Sequence, residues 1–296
     1  MGAIHLKLKS LRVSSSTGLC VNISSFQPLT LLVGVSGSGK SQILAYISSL
    51  FELMTGRQSP LLDDGEYELQ FDLGSDHYHY LVYIKNHHPD IIRLWRNDEL
   101  LDDTIELINH LPTIKFLKPI NQIRKMHDLI KQFILATPKQ QEEIISLFQL
   151  IFESIEDVKI KCTEKTALQL FFKEQTGDWL SIESLSDGML KSLYYLTQLT
   201  LCEPGAIILI DEFENGLGLN CMGPLLEEMM NHDDIQLILS SHHPYIINNI
   251  PSEKWLIITR ENSTICVQSA EEFGIGQTKY DAFFELMNRL DYEGGL

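Results

Sequence analysis

The chain has 296 residues, 44% of them apolar, with a formal charge of −17 and an isoelectric point near 4.9. This is enough for a sizeable core, as one large or two small domains. The acidic balance excludes a generally basic, nucleic-acid-coating surface and leaves only a local groove open. No run of about 18 uncharged apolar residues occurs, so no membrane span is expected. The five cysteines (Cys20, Cys162, Cys202, Cys221, Cys266) are scattered and lack the close pairs of a zinc site or disulfide framework. They read as reduced thiols of a cytoplasmic protein.

In chain order, Ile4 to Arg12 alternates apolar and polar residues and reads as a strand, not a signal peptide. Leu19 to Ile23 is a second short strand, and Leu29-Thr-Leu-Leu-Val33 a third. Residues 34 to 41 then read G-V-S-G-S-G-K-S, a complete phosphate-binding loop. Gly34, Gly37 and Gly39 permit the tight turn, so the backbone N–H groups of the loop, through Ser36 and Ser38, can point at phosphate oxygens. Lys40 reaches the β- and γ-phosphates, and the Ser41 hydroxyl is placed to ligate Mg²⁺. Gln42 opens a run of helical periodicity that continues to Phe51, so a helix N-terminus lies where the phosphates sit.

Beyond a turn-rich patch at Thr55 to Pro60, residues 66 to 97 give successive strand signals: Tyr67, Leu69, Phe71 and Leu73, then Tyr78, Tyr80, Val82 and Ile84. Turns are expected at Gly74–Asp76 and His87–Asp90, making an antiparallel sheet appended to the nucleotide core. The histidine pairs here (His77 with His79, His87 with His88) lack a carboxylate or cysteine at ligand spacing and read as surface residues. From Met126 to Phe172 the pattern reads as mostly helical, with Glu142, Glu143, Glu153 and Glu156 on polar faces. The cluster Lys115, Lys118, Arg124, Lys125 and Lys131 reads as a solvated face. Ser186 can cap a helix whose apolar face is Met189, Leu190, Leu193 and Leu196. The same Ser–Asp–Gly at a helix start offers a hydroxyl, bare N–H groups and the positive dipole end to an anion.

Ala206 to Ile210 and Ile235 to Leu239 are apolar runs suited to central parallel strands. The first ends in Asp211-Glu212. Beside a phosphate loop, Asp211 is expected to hold the Mg²⁺ shell and Glu212 to polarise an attacking water as general base. A further strand at Trp255–Thr259 and a last helix near Ala282–Leu290 complete the reading.

Leu185-Ser-Asp-Gly188 resembles the signature motif of ABC-type ATPases, in the form found in the RecF, SMC and OLD-like group. Asp211-Glu-Phe-Glu-Asn-Gly-Leu217 resembles that group's Walker B and D-loop, and Leu239-Ser-Ser-His-His-Pro-Tyr-Ile-Ile247 its switch segment. The resemblance implies that His242, 31 residues beyond Asp211, senses the γ-phosphate, while His243 is assigned nothing. It implies that Arg12, in a segment like the group's early K-N-F-R, touches the nucleotide, and that Gln122 is a Q-loop contact. The implied fold is an α/β P-loop NTPase core of the ABC/RecF type, with an antiparallel β subdomain and a helical lobe carrying the signature. On that scheme residues 1–62 are the P-loop part, 63–106 the β insertion, 107–200 the helical lobe, and 201–296 the Walker B, switch histidine and C-terminal part.

The resemblance further implies ATP and Mg²⁺ as cofactors and a homodimer, or a larger even-numbered assembly, with ATP sandwiched head to tail. Ser186 and Gly188 would then complete the site of the opposite subunit. Only 54 residues follow His242, too few for the Toprim nuclease of OLD proteins, so any effector is expected on a separate chain. The implied activity is an ATPase switch controlling such an effector, a nuclease or toxin of anti-phage defence. The alternative is a DNA repair or maintenance ATPase acting directly on nucleic acid.

Overall fold

The computed structural model describes residues 5–56, 62–101, 111–117, 123–162 (side chains of 123–125 excepted), 168–275, and 286, 288 and 289. The chain divides into two compact units, one formed by Met1–Leu117, Glu203–Phe213 and Asp233–Leu296, the other by Lys118–Cys202 and Glu214–His232.

Among the described residues, the first unit is built on a 12-stranded sheet. Its centre is parallel. β3 (Leu29–Val33) lies between β13 (Gln236–Ser241) and β14 (Trp255–Glu261), and β12 (Ile207–Ile210) and β8 (Ile114–Leu117) follow beyond β13. β3, β12 and β13 are buried along their whole length. Strands covered on both faces are uniformly apolar, which is why these three runs show no alternation. β15 (Thr264–Ser269) pairs antiparallel with β14, and β2 (Cys20–Ile23) and β1 (Leu6–Ser15) continue the sheet. Beyond β1 lie β4 (Gly65–Leu73), β5 (Asp76–Lys85), β6 (His88–Arg96) and β7 (Glu99–Leu100), all antiparallel. The antiparallel part is therefore not a separate appendage, since β1 joins β4 over most of its length and carries the hydrogen bonding straight through. Helix α1 (Lys40–Met54) buries Ile43, Leu44, Ile47, Leu50 and Phe51 in one core with Tyr67, Leu69 and Phe71 of β4.

One expected turn moves. The β5–β6 turn is Asn86–His87, with φ of 52° and 58°, so His88 and Pro89 already belong to β6. Two successive left-handed residues make the turn whose twist matches a hairpin, and asparagine tolerates that region best. The histidines also have carboxylate neighbours that linear spacing hid. His77 Nδ1 lies 2.9 Å from Asp72 Oδ1, and His79 Nε2 lies 3.1 Å from Glu68 Oε1, because β4 and β5 bring them together across the hairpin.

Gln236, 4% exposed, ties the parallel centre to β1. Its Oε1 accepts from the Leu8 N–H at 2.7 Å, and its Nε2 donates to the carbonyls of Leu8 and Gln27, each at 3.1 Å. It acts as a short piece of strand beside the β-bulge between Leu8 and Ser10. Gln236→Leu keeps the volume but leaves buried backbone groups unsatisfied, at about 1–3 kcal/mol each. A loss of about 3 kcal/mol is expected, measured by urea unfolding.

The second unit contains α2 (Ile123–Leu135), α3 (Pro138–Ile151), α4 (Asp187–Thr200) and α5 (Leu219–Met230), with a three-stranded antiparallel sheet of β9 (Ile155–Cys162), β10 (Leu168–Glu174) and β11 (Trp179–Ser181). The helical reading of 126–172 therefore holds only to Ile151. Beyond it, Ile155, Val158, Leu170 and Phe172 are buried on strands, and Glu156 sits on β9 paired with Lys173 at 2.7 Å. Phe172 packs on Phe148 of α3, with ring centroids 5.5 Å apart, and this contact outweighs the weak local preference of the segment. α3 starts as the sequence dictates, with a Thr137/Gln140 capping box and Pro138 in the first turn.

Candidate nucleotide site

β3, β12 and β13 run parallel, and their register fixes where they end. Val33 lies across from Ser241, and Ile210 across from Leu239. The phosphate loop, Asp211 and His242 thus leave the sheet at one edge, the carboxyl ends of the strands, where open α/β sheets bind ligands.

The loop is shaped by its glycines. A Cβ on Gly34 would lie 2.2 Å from the Ile258 carbonyl oxygen of β14, so the first loop position admits no side chain. Gly39, at φ 113°, is the residue before α1, and a Cβ there would lie 2.3 Å from Ile265 Cδ1. Lys40 is 8% exposed, and its ammonium donates to the carbonyls of Gly34 at 2.8 Å and Val35 at 2.9 Å, folding the side chain back over the loop. Ser38 is buried at 2% exposure with its hydroxyl unbonded within the protein. A buried polar atom without a partner costs stability, and an anion seated in the loop would supply one. Gly34→Ala is expected to lower both stability, by about 1–3 kcal/mol, and nucleotide affinity. Thermal unfolding and equilibrium binding of ATP to the same preparation check the pair.

At the facing strand end, Asp211 Oδ1 accepts two hydroxyl hydrogen bonds, from Ser41 at 3.0 Å and from Ser240 at 2.7 Å. The Glu212 N–H donates to Ser240 Oγ at 2.8 Å, and the Phe213 N–H to the Ser240 carbonyl at 3.1 Å. Glu212 has a φ of 47°, in the left-handed region that a residue with a side chain avoids. Such outliers concentrate at functional sites. The Ser41 and Asp211 oxygens are hard donors of the kind Mg²⁺ takes, from one or two protein groups, with phosphate and water completing the shell. The residues therefore fit a nucleotide with its Mg²⁺.

The remaining sequence candidates are placed as follows. Ser36 and Gly37 lie in the loop, Gly37 at φ 80°. The Gln42 side-chain oxygen lies 3.4 Å from the guanidinium of Arg260 in β14, a cation that sequence reasoning did not single out. Arg12, exposed on β1, reaches Glu68 at 3.5 Å. It lines an open groove of about 900 Å³ with Asn22, Thr264, Ile265 and Cys266. His242 is exposed just past β13, and His243 caps α6 (Pro244–Asn249), accepting from the Tyr245 N–H at 3.2 Å. Gln122 lies outside the described residues, as do Lys118 and the side chains of Arg124 and Lys125 in the basic cluster. The strand before Gln122, β8, ends with Leu117 level with Ile210.

Ser186 and Gly188 belong to the second unit. Ser186 caps α4, its Oγ accepting from the Met189 N–H at 3.3 Å, which leaves the hydroxyl proton free to donate outward. A Cβ on Gly188 would lie 3.5 Å from the Gly216 carbonyl and 3.4 Å from the Gly218 N–H, so the start of α4 packs closely on the segment Gly216–Gly218. Buried Lys191 of α4 reinforces that contact by donating to the Asn215 carbonyl.

The parallel sheet, the glycine-shaped loop and the carboxylates at the neighbouring strand end make up the fold of an ABC-type P-loop ATPase, as in SMC heads. A family model described as "AAA domain, putative AbiEii toxin, Type IV TA system" matches residues 29–248, and the chain belongs to that family. Among solved structures, an SMC head bound to the C-winged helix domain of ScpA is 16% identical with a TM-score of 0.61, covering 90% of this chain and 99% of that one. The SMC head domain from Thermotoga maritima is also 16% identical, with a TM-score of 0.58, covering 89% and 98%. The Smc head from Pyrococcus furiosus, with an extended coiled coil and bound to the C-terminal domain of ScpA, is 13% identical with a TM-score of 0.52, covering 90% and 98%. No curated protein sequence matches the chain.

Proposed function

We propose that this chain is an ATP-hydrolysing switch of the OLD-like kind, working as a head-to-tail dimer that holds ATP between two copies and controls a separate effector protein. The observation that carries the reading is the bonded set of Ser41, Asp211 and Glu212, the last two joined through Ser240, beside a loop over which Lys40 is folded. In this reading the loop N–H groups and Lys40 hold the phosphates, and Ser41 with Asp211 hold Mg²⁺, whose bound charge offsets that of the phosphates. Glu212 takes the proton of the attacking water, and His242 contacts the γ-phosphate. The groove from Ile265 to Arg12 accommodates the nucleoside end. Ser186 and the N–H groups at Gly188, on the first turn of α4, supply the second copy's contacts to the γ-phosphate.

Two findings support an effector. The family description names a toxin of a type IV toxin–antitoxin system. Solved heads of the same fold are found bound to domains of another protein, ScpA. The further step, to regulation of a toxin or nuclease in anti-phage defence in a cytoplasmic setting, comes from the resemblance of Leu185–Gly188 and Leu239–Ile247 to the OLD-like group. The direct test is mass in solution. With ATP and Mg²⁺ the chain is expected to shift from one copy to two, and with ADP to return to one. A mass unmoved by ATP that demonstrably binds would count against the sandwich.

A further inference from the structure

Ser240 is wholly buried, and three consecutive residues of the Walker B segment are attached to it. Its hydroxyl donates to Asp211 Oδ1 at 2.7 Å and accepts the Glu212 N–H at 2.8 Å, while its carbonyl accepts the Phe213 N–H at 3.1 Å. The direction of these bonds is forced. A backbone N–H can only donate, so the hydroxyl oxygen takes that proton and its own proton has to go to the carboxylate. The strand register explains the placement, because Leu239 lies across from Ile210, the last residue of β12, and the residues that follow are Ser240 and Asp211.

We infer that Ser240 is the positioning residue for both carboxylates of the site. It orients Asp211 toward the metal position and holds Glu212 in its left-handed backbone conformation, φ 47°. The inference rests on the nucleotide reading above. Asp211 Oδ1 also accepts from the Ser41 hydroxyl at 3.0 Å, a bond that leaves the Ser41 oxygen lone pairs available to a metal. Ser240 is wholly buried on β13, so its bond to the carboxylate comes from the sheet. Ser240 thus fixes one oxygen of the carboxylate from a buried position on the strand. Without it, Glu212 loses the acceptor for its N–H, and the strained backbone is free to relax.

The test compares Ser240→Ala with Ser240→Thr, which keeps the hydroxyl, by calorimetric titration of ATP in EDTA and in MgCl₂. In EDTA, Ser240→Ala is expected to bind ATP within about twofold of wild type, because the loop and Lys40 are untouched. The gain in affinity that Mg²⁺ gives wild type is expected to shrink about tenfold, with turnover falling at least as far. Ser240→Thr restores most of both. If Ser240→Ala does not fold, Ser240→Cys, with a much weaker donor of similar volume, carries the same comparison. An unchanged Mg²⁺ gain and turnover in a variant that binds ATP overturns the inference and leaves the proposed function standing. A wild type that binds no ATP in either buffer overturns the proposed function, and this inference with it.

Discussion

Glu212→Gln is expected to lower ATP turnover by roughly 10²–10⁴-fold, the range that a positioned general base contributes, while leaving ATP binding intact. The structure gives the reason for choosing this variant. The contact that holds the residue runs from its backbone N–H to Ser240 Oγ, at 2.8 Å, and glutamine keeps it. Glutamine also keeps the size and shape of the side chain, so the φ of 47° is no worse accommodated than before. What glutamine removes is the carboxylate's charge and its ability to take a proton. On the switch reading, the bound state then persists, and the variant accumulates as an ATP-dependent dimer where wild type cycles. Single-turnover and steady-state assays on one preparation separate the two effects. A variant that hydrolyses ATP at the wild-type rate would remove Glu212 from the chemistry.

The second large effect is expected at Lys40. Its ammonium is 8% exposed and bonded to the carbonyls of Gly34 and Val35, so it lies inside the loop before any ligand arrives. Methionine fills the same channel without charge. Lys40→Met therefore loses the charge-assisted bonds to the phosphates, about 1.5–3 kcal/mol, which is about a tenfold to hundredfold loss of ATP affinity. The Gly34 and Val35 carbonyls also lose their donor, so a lower stability is expected alongside the loss of affinity. Equilibrium binding against a thermal-unfolding control measures both. An affinity within about twofold of wild type would contradict the phosphate role.

Much of this was legible in the sequence because the informative residues are contiguous. The loop at 34–41, its flanking strand and helix, and the Asp211–Glu212 pair after an apolar strand are local patterns, and each has a local physical cause. Residues that act through register were not legible. Ser240 and Ser241 look like an ordinary polar end to an apolar strand, and only the alignment of β12 with β13 puts one of them on Asp211. Gln236 is likewise a lone polar residue in an apolar run until β1 is seen beside it. The cross-strand pairs His77–Asp72 and His79–Glu68 were hidden for the same reason. Residues 155–162 and 168–174 misled because alternation is broken, with Glu156 and Asp157 both exposed, and Phe172 packs on Phe148.

The central claim is that each ATP is held by the loop of one copy and the signature of another, and mixing two variants tests it most directly. Lys40→Met disables the loop. Ser186→Asp disables the signature, and its carboxylate still accepts the Met189 N–H, so α4 keeps its cap while the phosphate is repelled. Each variant alone is expected to have little ATPase activity. Mixed, they form dimers in which one site pairs an intact loop with an intact signature, and activity is predicted to return to a substantial fraction of wild type. Single variants that are inactive, with a mixture that stays inactive while the two copies demonstrably associate, would contradict the account.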